Sequence, residues 1–121
     1  MKGAAPLSLG NAEFGGAFEH FIINEVRAFN SYSRQDKTLS YWRTRSEEVD
    51  LIVGHEFAVE IKSSTQMKDD YFSGLEKLRE ENLVKQLFIV SRCTQEGTRN
   101  GIRYLYYENF LKLLWAGEIL E

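Results

Sequence analysis

Two apolar segments, "EVDLIV" near 48–53 and "FAVEIKS" near 57–63, are separated only by "GHE". Both are rich in β-branched and aromatic residues, so each is expected to be a strand, and a three-residue link between strands is a hairpin loop. The loop length sets the register. Val53 should face Phe57, and counting outward brings Asp50 opposite Glu60. Opposed residues share a face with Cβ atoms about 5 Å apart. Lys62 points the same way as Glu60 because side chains alternate along a strand. The hairpin is therefore expected to gather Asp50, Glu60 and Lys62 in one small volume at the edge of an apolar sheet. Charges are costly to hold there unless something compensates them.

The rest of the chain surrounds this hairpin with elements of alternating type. Phe14, Phe18, Phe21, Ile22, Val26 and Phe29 step by three and four, which predicts a helix over roughly 12–30. The polar stretch "NSYSRQDKT" follows, and "LSYWRT" near 39–44 is expected to be a strand preceding the hairpin. After it, "DDYFSGLEKLREEN" carries acids in its first turn and Phe72, Leu75 and Leu78 at helical spacing, predicting a helix over about 69–82. Gly74 weakens that helix by about 1 kcal/mol relative to alanine. "KQLFIVSRC" and "IRYLYY" read as strands separated by the loop "TQEGTRNG", and "ENFLKLLWAGEIL" as a closing helix with Phe110, Leu113, Leu114 and Trp115 on one side.

Three closely linked strands suggest an antiparallel meander, while the passage from "FAVEIK" through a helix to "LFIV" requires a right-handed parallel crossover. The expected class is α/β, a mixed central sheet flanked by helices. With 121 residues, a single domain over 1–121 is expected, residues 1 to about 11 forming a flexible lead-in.

Composition narrows the function classes. The formal net charge of −3 gives no global basic signature, so contact with nucleic acid would depend on a local patch. The lone Cys93 cannot form an internal disulfide, and with only His20 and His55 beside it no zinc-site spacing exists. No run approaches the roughly 20 apolar residues of a membrane span, and the first 18 residues lack the apolar core of a signal peptide. A cytoplasmic setting without membrane contact is expected.

Two carboxylates facing each other repel, and a divalent cation relieves that repulsion. Mg²⁺ accepts one or two protein carboxylates and keeps the rest of its shell for water and phosphate oxygens. Asp50 and Glu60, with the backbone carbonyl of Ile61, are the candidate ligands for Mg²⁺ or Mn²⁺. An ion held this way polarises a phosphodiester and lowers the pKa of bound water, while an adjacent ammonium such as Lys62 orients that water or neutralises the transition state. The competing reading is a solvated ion-pair cluster worth about 0–1 kcal/mol and without function.

An acid on one strand, an E-x-K triplet on the next and a preceding helix with its own acid resemble the PD-(D/E)xK nuclease superfamily. The matching residues are Asp50, the triplet Glu60-Ile61-Lys62, and Glu19 within "GGAFEHFIINEV". The resemblance implies a restriction-endonuclease-like αβββαβ core, here with an extra strand and a C-terminal helix. It implies that Asp50 and Glu60 bind the metal, that Lys62 assists the attacking water, and that Glu19 contributes through a water or as a further ligand. Val49 stands where the superfamily's name has proline. More narrowly, "FGGAFEHFIINEV", "YWRTRSEEVDLIV" and "VEIKSS" are similar to the nuclease-like C-terminal domain that follows an AAA-type ATPase domain in many prokaryotic proteins. That similarity implies a fragment or a stand-alone relative, with an ATPase domain as partner in a longer protein. No G-x-x-x-x-G-K-[ST] stretch is present.

The expectation is thus a nuclease-like domain acting on DNA or a related nucleic acid. A non-catalytic module of the same fold that binds nucleic acid or a partner is the alternative, a purely structural interaction domain is a third, and a homodimer is left open. Arg34, Lys37, Arg43 and Arg45 face only Asp36 within twelve positions, a local net charge of +3 that suits either a phosphate-contacting edge or a solvated rim. Ser63, Ser64 and Gln66 follow the triplet and suit phosphate oxygens or turn chemistry. Glu48 shares the parity of Asp50 and either substitutes for it or faces water. Tyr104, Tyr106 and Tyr107 suit sheet packing better than base stacking.

Overall fold

A computed structural model describes residues 11–120. Of the lead-in expected over 1–11, residues 1–10 lie outside the described residues. The order is α1 (Asn11–Tyr32), β1 (Leu39–Arg43), β2 (Glu48–Val53), β3 (Phe57–Lys62), a single 3-10 turn (Asp69–Phe72), α2 (Ser73–Arg79), β4 (Gln86–Ser91), β5 (Gly97–Arg99), β6 (Ile102–Tyr106) and α3 (Tyr107–Trp115). The strands form one mixed sheet in the order β1-β2-β3-β4-β6-β5. The antiparallel meander β1-β2-β3 and the parallel β3–β4 crossover are as expected. Strand β6 adds a further parallel pair with β4.

The sheet separates two apolar layers. On one face Phe18, Ile22, Val26 and Phe29 of α1 and Phe110 and Leu114 of α3 pack over Leu51, Val53, Phe57, Val59, Phe88 and Val90. On the other, Phe72, Leu75 and Leu78 cover Val49, Ile52, Ala58, Leu87, Ile89 and Ile102. Strand β4 is buried on both sides, which explains its unbroken apolar run. Phe21 departs from the helical stripe expected of it. It is exposed and meets Tyr107 edge-on, because the buried stripe of α1 runs through Phe18, Ile22, Val26 and Phe29 and leaves Phe21 at its flank.

Three segments differ from the sequence reading. The helix expected over 69–82 is a 3-10 turn followed by a short α-helix ending at Arg79, and the chain then turns through Asn82 in the left-handed region. The segment expected as the loop "TQEGTRNG" contains β5, paired antiparallel with β6 through Arg99↔Ile102. Asn100 and Gly101 between them both have positive φ, the geometry that an Asn-Gly hairpin turn adopts. The closing helix is shorter than "ENFLKLLWAGEIL", ending at Trp115 ahead of Gly117 at φ +76. Trp115 is exposed at the end of α3, where its ring contacts Phe29 and Tyr32.

Gly74, unfavourable for helix propensity, has a packing reason. It is buried where α2 crosses β2, and a Cβ there would press against the Glu48 carbonyl oxygen and touch Val49. Propensity alone predicts that Gly74→Ala stabilises by about 1 kcal/mol. The clash is with backbone that cannot rotate away, so the expected result is a loss of about 1–3 kcal/mol in chemical denaturation. A gain in stability would show that α2 does not approach β2 this closely.

Candidate functional site

The hairpin register begins as predicted, with Val53↔Phe57, Ile52↔Ala58 and Leu51↔Val59 paired across Gly54, His55 and Glu56. Gly54 takes the positive φ the turn requires, and Glu56 N–H donates to the Val53 carbonyl at 2.9 Å. Beyond Leu51 the backbone pairing stops. Asp50 and Glu60 are not a ladder pair; their side chains take over the hydrogen bonding instead. The Ile61 N–H donates to Asp50 Oδ2 at 2.8 Å, and the Asp50 N–H to Glu60 Oε1 at 3.3 Å. Each backbone amide that the parting strands would orphan thus meets a carboxylate.

The cause lies in the neighbouring strand pair. Between Ser40↔Ile52 and Trp42↔Val49, two steps on β1 match three on β2, so β2 carries an extra residue there. Alternation is broken accordingly. Val49 and Ile52, three apart, pack on the α2 side, while Leu51 and Val53 pack on the α1 and α3 side. A bulge of this kind re-aims a side chain. Asp50 stands at the break, and its charge acts on Glu19 of α1 and on Glu60 of β3.

Glu60 follows Ala58 in strand parity toward the α2 side and is only 7% exposed. Lys62, at the end of β3, approaches it with Nζ 3.0 Å from Oε2 and lies 5.1 Å from the centre of the Tyr71 ring. Burial, and then the negative charge of Asp50, push the Glu60 carboxyl from 4.5 up to about 8 despite the lysine. Burial works against the Lys62 ammonium, but the charge and hydrogen bond of Glu60, with Asp50 and Tyr71 adding to them, together exceed it and the net direction is upward, so Lys62 stays charged. Glu19 is also raised, first by burial and next by Asp50.

Two clefts open on this cluster. Glu60 and Lys62 line one of about 370 Å³, together with Arg43, Arg45, Glu47 and Tyr71. Asp50 and Glu19 line a second with Tyr41, Arg43 and Glu48. The structure therefore brings together Asp50, Glu60, Ile61, Lys62 and Glu19, with Arg43 and Arg45 beside them. Glu48 is exposed and pairs with Arg43 at 3.3 Å. Ser63 and Ser64 lie past Lys62 in a third cleft, and the Ser64 hydroxyl is engaged with the backbone of Gln66, as in a turn.

The basic run is divided. Lys37 lies near Gly54 at the hairpin-loop end of the sheet, 3.8 Å from Glu56, and Arg34 sits in the turn after α1. Tyr104 packs edge-on against Phe72, and Tyr107 against Phe18. Tyr71 and Arg92 line the clefts beside Lys62 without having been singled out in the sequence.

A family model matches residues 14–110, the span from α1 to α3 that contains every residue of this cluster. The chain belongs to the family described as a domain of unknown function, DUF4143. No curated protein and no solved structure matches it. Among the described residues of this DUF4143 domain, no group of three or more His, Cys, Asp or Glu side chains is arranged to hold a metal ion. None of its described helices is long and apolar enough to cross a membrane.

The raised Glu60 carboxyl has a consequence for stability. Its neutral form is the one the fold favours, so its contribution is fully present below about pH 4.5 and is lost as pH rises through about 8. In metal-free buffer, stability is expected to fall across that window by about 1–3 kcal/mol. Glu60→Gln, which stays neutral, should flatten the decline. Denaturant titrations at pH 5, 7 and 9 check this, and parallel slopes in both proteins would contradict it.

Proposed function

We propose that this DUF4143 domain is a metal-dependent nuclease-like domain that hydrolyses phosphodiester bonds in DNA with Mg²⁺ or Mn²⁺. The observation that carries the reading is Glu60, a nearly buried carboxylate held against Asp50 and Lys62 where β2 and β3 part. Burying an acid beside a second, half-buried one costs several kcal/mol unless a partner compensates them. The donor set fits a hard divalent ion, which needs only one or two protein carboxylates and completes its shell with other oxygens. Asp50 and Glu60 would hold it, with the Ile61 carbonyl as the third oxygen. Such an ion would supply charge to the phosphate and acidity to a bound water.

The chain's own residues supply the remainder. Lys62 stays an ammonium, and with one donor engaged by Glu60 its other N–H groups can orient a water or meet charge developing on phosphate. Arg43 and Arg45, lining the same cleft, suit the flanking phosphates. Glu19 reaches the cluster from α1 through Asp50 and suits a role at one remove. The resemblance of the E-x-K triplet and of the residues around it to nuclease-like domains joined to ATPases supports the same reading, and suggests an ATPase as partner.

A second reading has its own observation. The carboxylates of Asp50 and Glu60 already satisfy backbone amides, which gives both a structural role without any ion. With a net charge of −3, the domain would then be a non-catalytic module binding nucleic acid or a partner.

Incubation with supercoiled plasmid and single-stranded DNA distinguishes them. Cleavage is expected with Mg²⁺ or Mn²⁺, absent with EDTA, and lowered at least about 100-fold in Asp50→Ala and Lys62→Ala. Cleavage unaffected by either substitution would overturn the catalytic reading, and DNA binding without cleavage would favour the second.

A further inference from the structure

Beside the cleft that holds Glu60 lies another of about 380 Å³, and Lys62 and Tyr71 line both. Its position follows from the parallel part of the sheet. Lys62↔Ser91 is the last pair of β3 with β4, so Ser63 and Arg92 leave the sheet side by side. The Arg92 N–H donates to the Ser64 carbonyl at 3.2 Å, tying the two exits together. Crevices at the carboxyl ends of parallel strands are where open α/β sheets bind ligands.

The chemistry of the walls is distinctive. Arg92 lies over the Phe14 ring, Cζ 4.7 Å from its centre, and Lys62 lies over the Tyr71 ring at 5.1 Å. Each cation is thus mounted on an aromatic side chain. A guanidinium lying over a ring still has several N–H donors to offer phosphate oxygens. Ser63 on the same cleft adds a short polar side chain, the Ser64 hydroxyl being engaged by the Gln66 backbone. A duplex presents phosphates on its outside and keeps its bases stacked, so it makes no use of aromatic walls. An unpaired strand uses both, with phosphates on the cations and bases on the rings.

We propose that this cleft is a single-strand subsite, with Arg92 holding the phosphate next to the one at Lys62 and unpaired bases laid against the exposed parts of the Phe14 and Tyr71 rings that Arg92, Lys62 and Phe18 leave uncovered. The assignment rests on the nuclease-like reading for its substrate class but not on cleavage. Arg92 is a positioning and specificity residue here, outside the metal-binding and proton-transfer set.

Fluorescence anisotropy with a labelled oligothymidylate and with a duplex of equal length, both in EDTA, tests it. The full chain should bind the single strand at least about tenfold more tightly than the duplex. Arg92→Ala should weaken single-strand binding about tenfold and lower the salt dependence by roughly one phosphate contact. Arg92→Lys should recover the salt slope but not the full affinity, and Phe14→Leu should weaken the single strand while leaving duplex binding unchanged. Circular dichroism melts identify folded variants; Arg92→Gln replaces an Arg92 variant that unfolds, and Phe14→Met replaces Phe14→Leu. Equal or tighter duplex binding, no detectable single-strand binding, or folded Arg92 and Phe14 variants that bind as the parent does would each overturn the proposal. Single-strand binding lost in these variants, in a protein that cleaves nothing, would sustain the subsite while removing the nuclease.

Discussion

The structure turns on the place where β2 stops pairing with β3. Up to Leu51↔Val59 the hairpin is held by its own ladder; beyond it, Asp50 and Glu60 supply the acceptors that the strands no longer offer each other. An extra residue in β2 opposite Ser40–Trp42 sets that point, and Gly74 lets α2 lie against the backbone of Glu48. The result is a gap at the end of the hairpin that holds the nearly buried Glu60 beside Asp50, with a polar cleft lined by Arg43, Arg45, Glu47 and Lys62 opening on it. Burial there raises the Glu60 carboxyl, Lys62 stays charged, and Asp50 acts on Glu19 of α1 through its charge and a side-chain hydrogen bond.

Charge is distributed to suit such a gap. A net charge of −3 says little about a site whose cations are local. Arg43 and Arg45 lie on one side of Lys62, with Arg92 on the other. Lys37 and Arg34, close to them in sequence, belong to the far end of the meander. Proximity along the chain is thus a poor guide to a basic surface, because a strand of five residues carries its two ends about 17 Å apart.

Much of the scaffold was legible because hydrophobic period and loop length speak directly to strands and helices. The residues of β2 and β3, the register Val53↔Phe57 and the parallel crossover to β4 follow from these alone. The β5–β6 hairpin was also written in the sequence, as Asn100-Gly101, but its strand is too short to show a period. The bulge left no such mark. "EVDLIV" reads as a regular strand, so Asp50 and Glu60 were expected to face each other across a continuous ladder. In the structure they hold the strands where the ladder ends. Arg92 escaped notice because its partners are distant in sequence: Phe14 lies on α1, and Ser63 and Ser64 follow β3. Only the packing of α1 against the ends of parallel strands brings them together.

We propose that the Asp50–Glu60 gap binds a divalent cation. Isothermal calorimetry with Mn²⁺ on the metal-free chain, beside Asp50→Ala and Glu60→Gln, addresses it without reference to any substrate. A single ion bound per chain is expected in the parent protein, with loss of that heat in both variants while they remain folded. Undiminished binding in Asp50→Ala would place the ion elsewhere and contradict it.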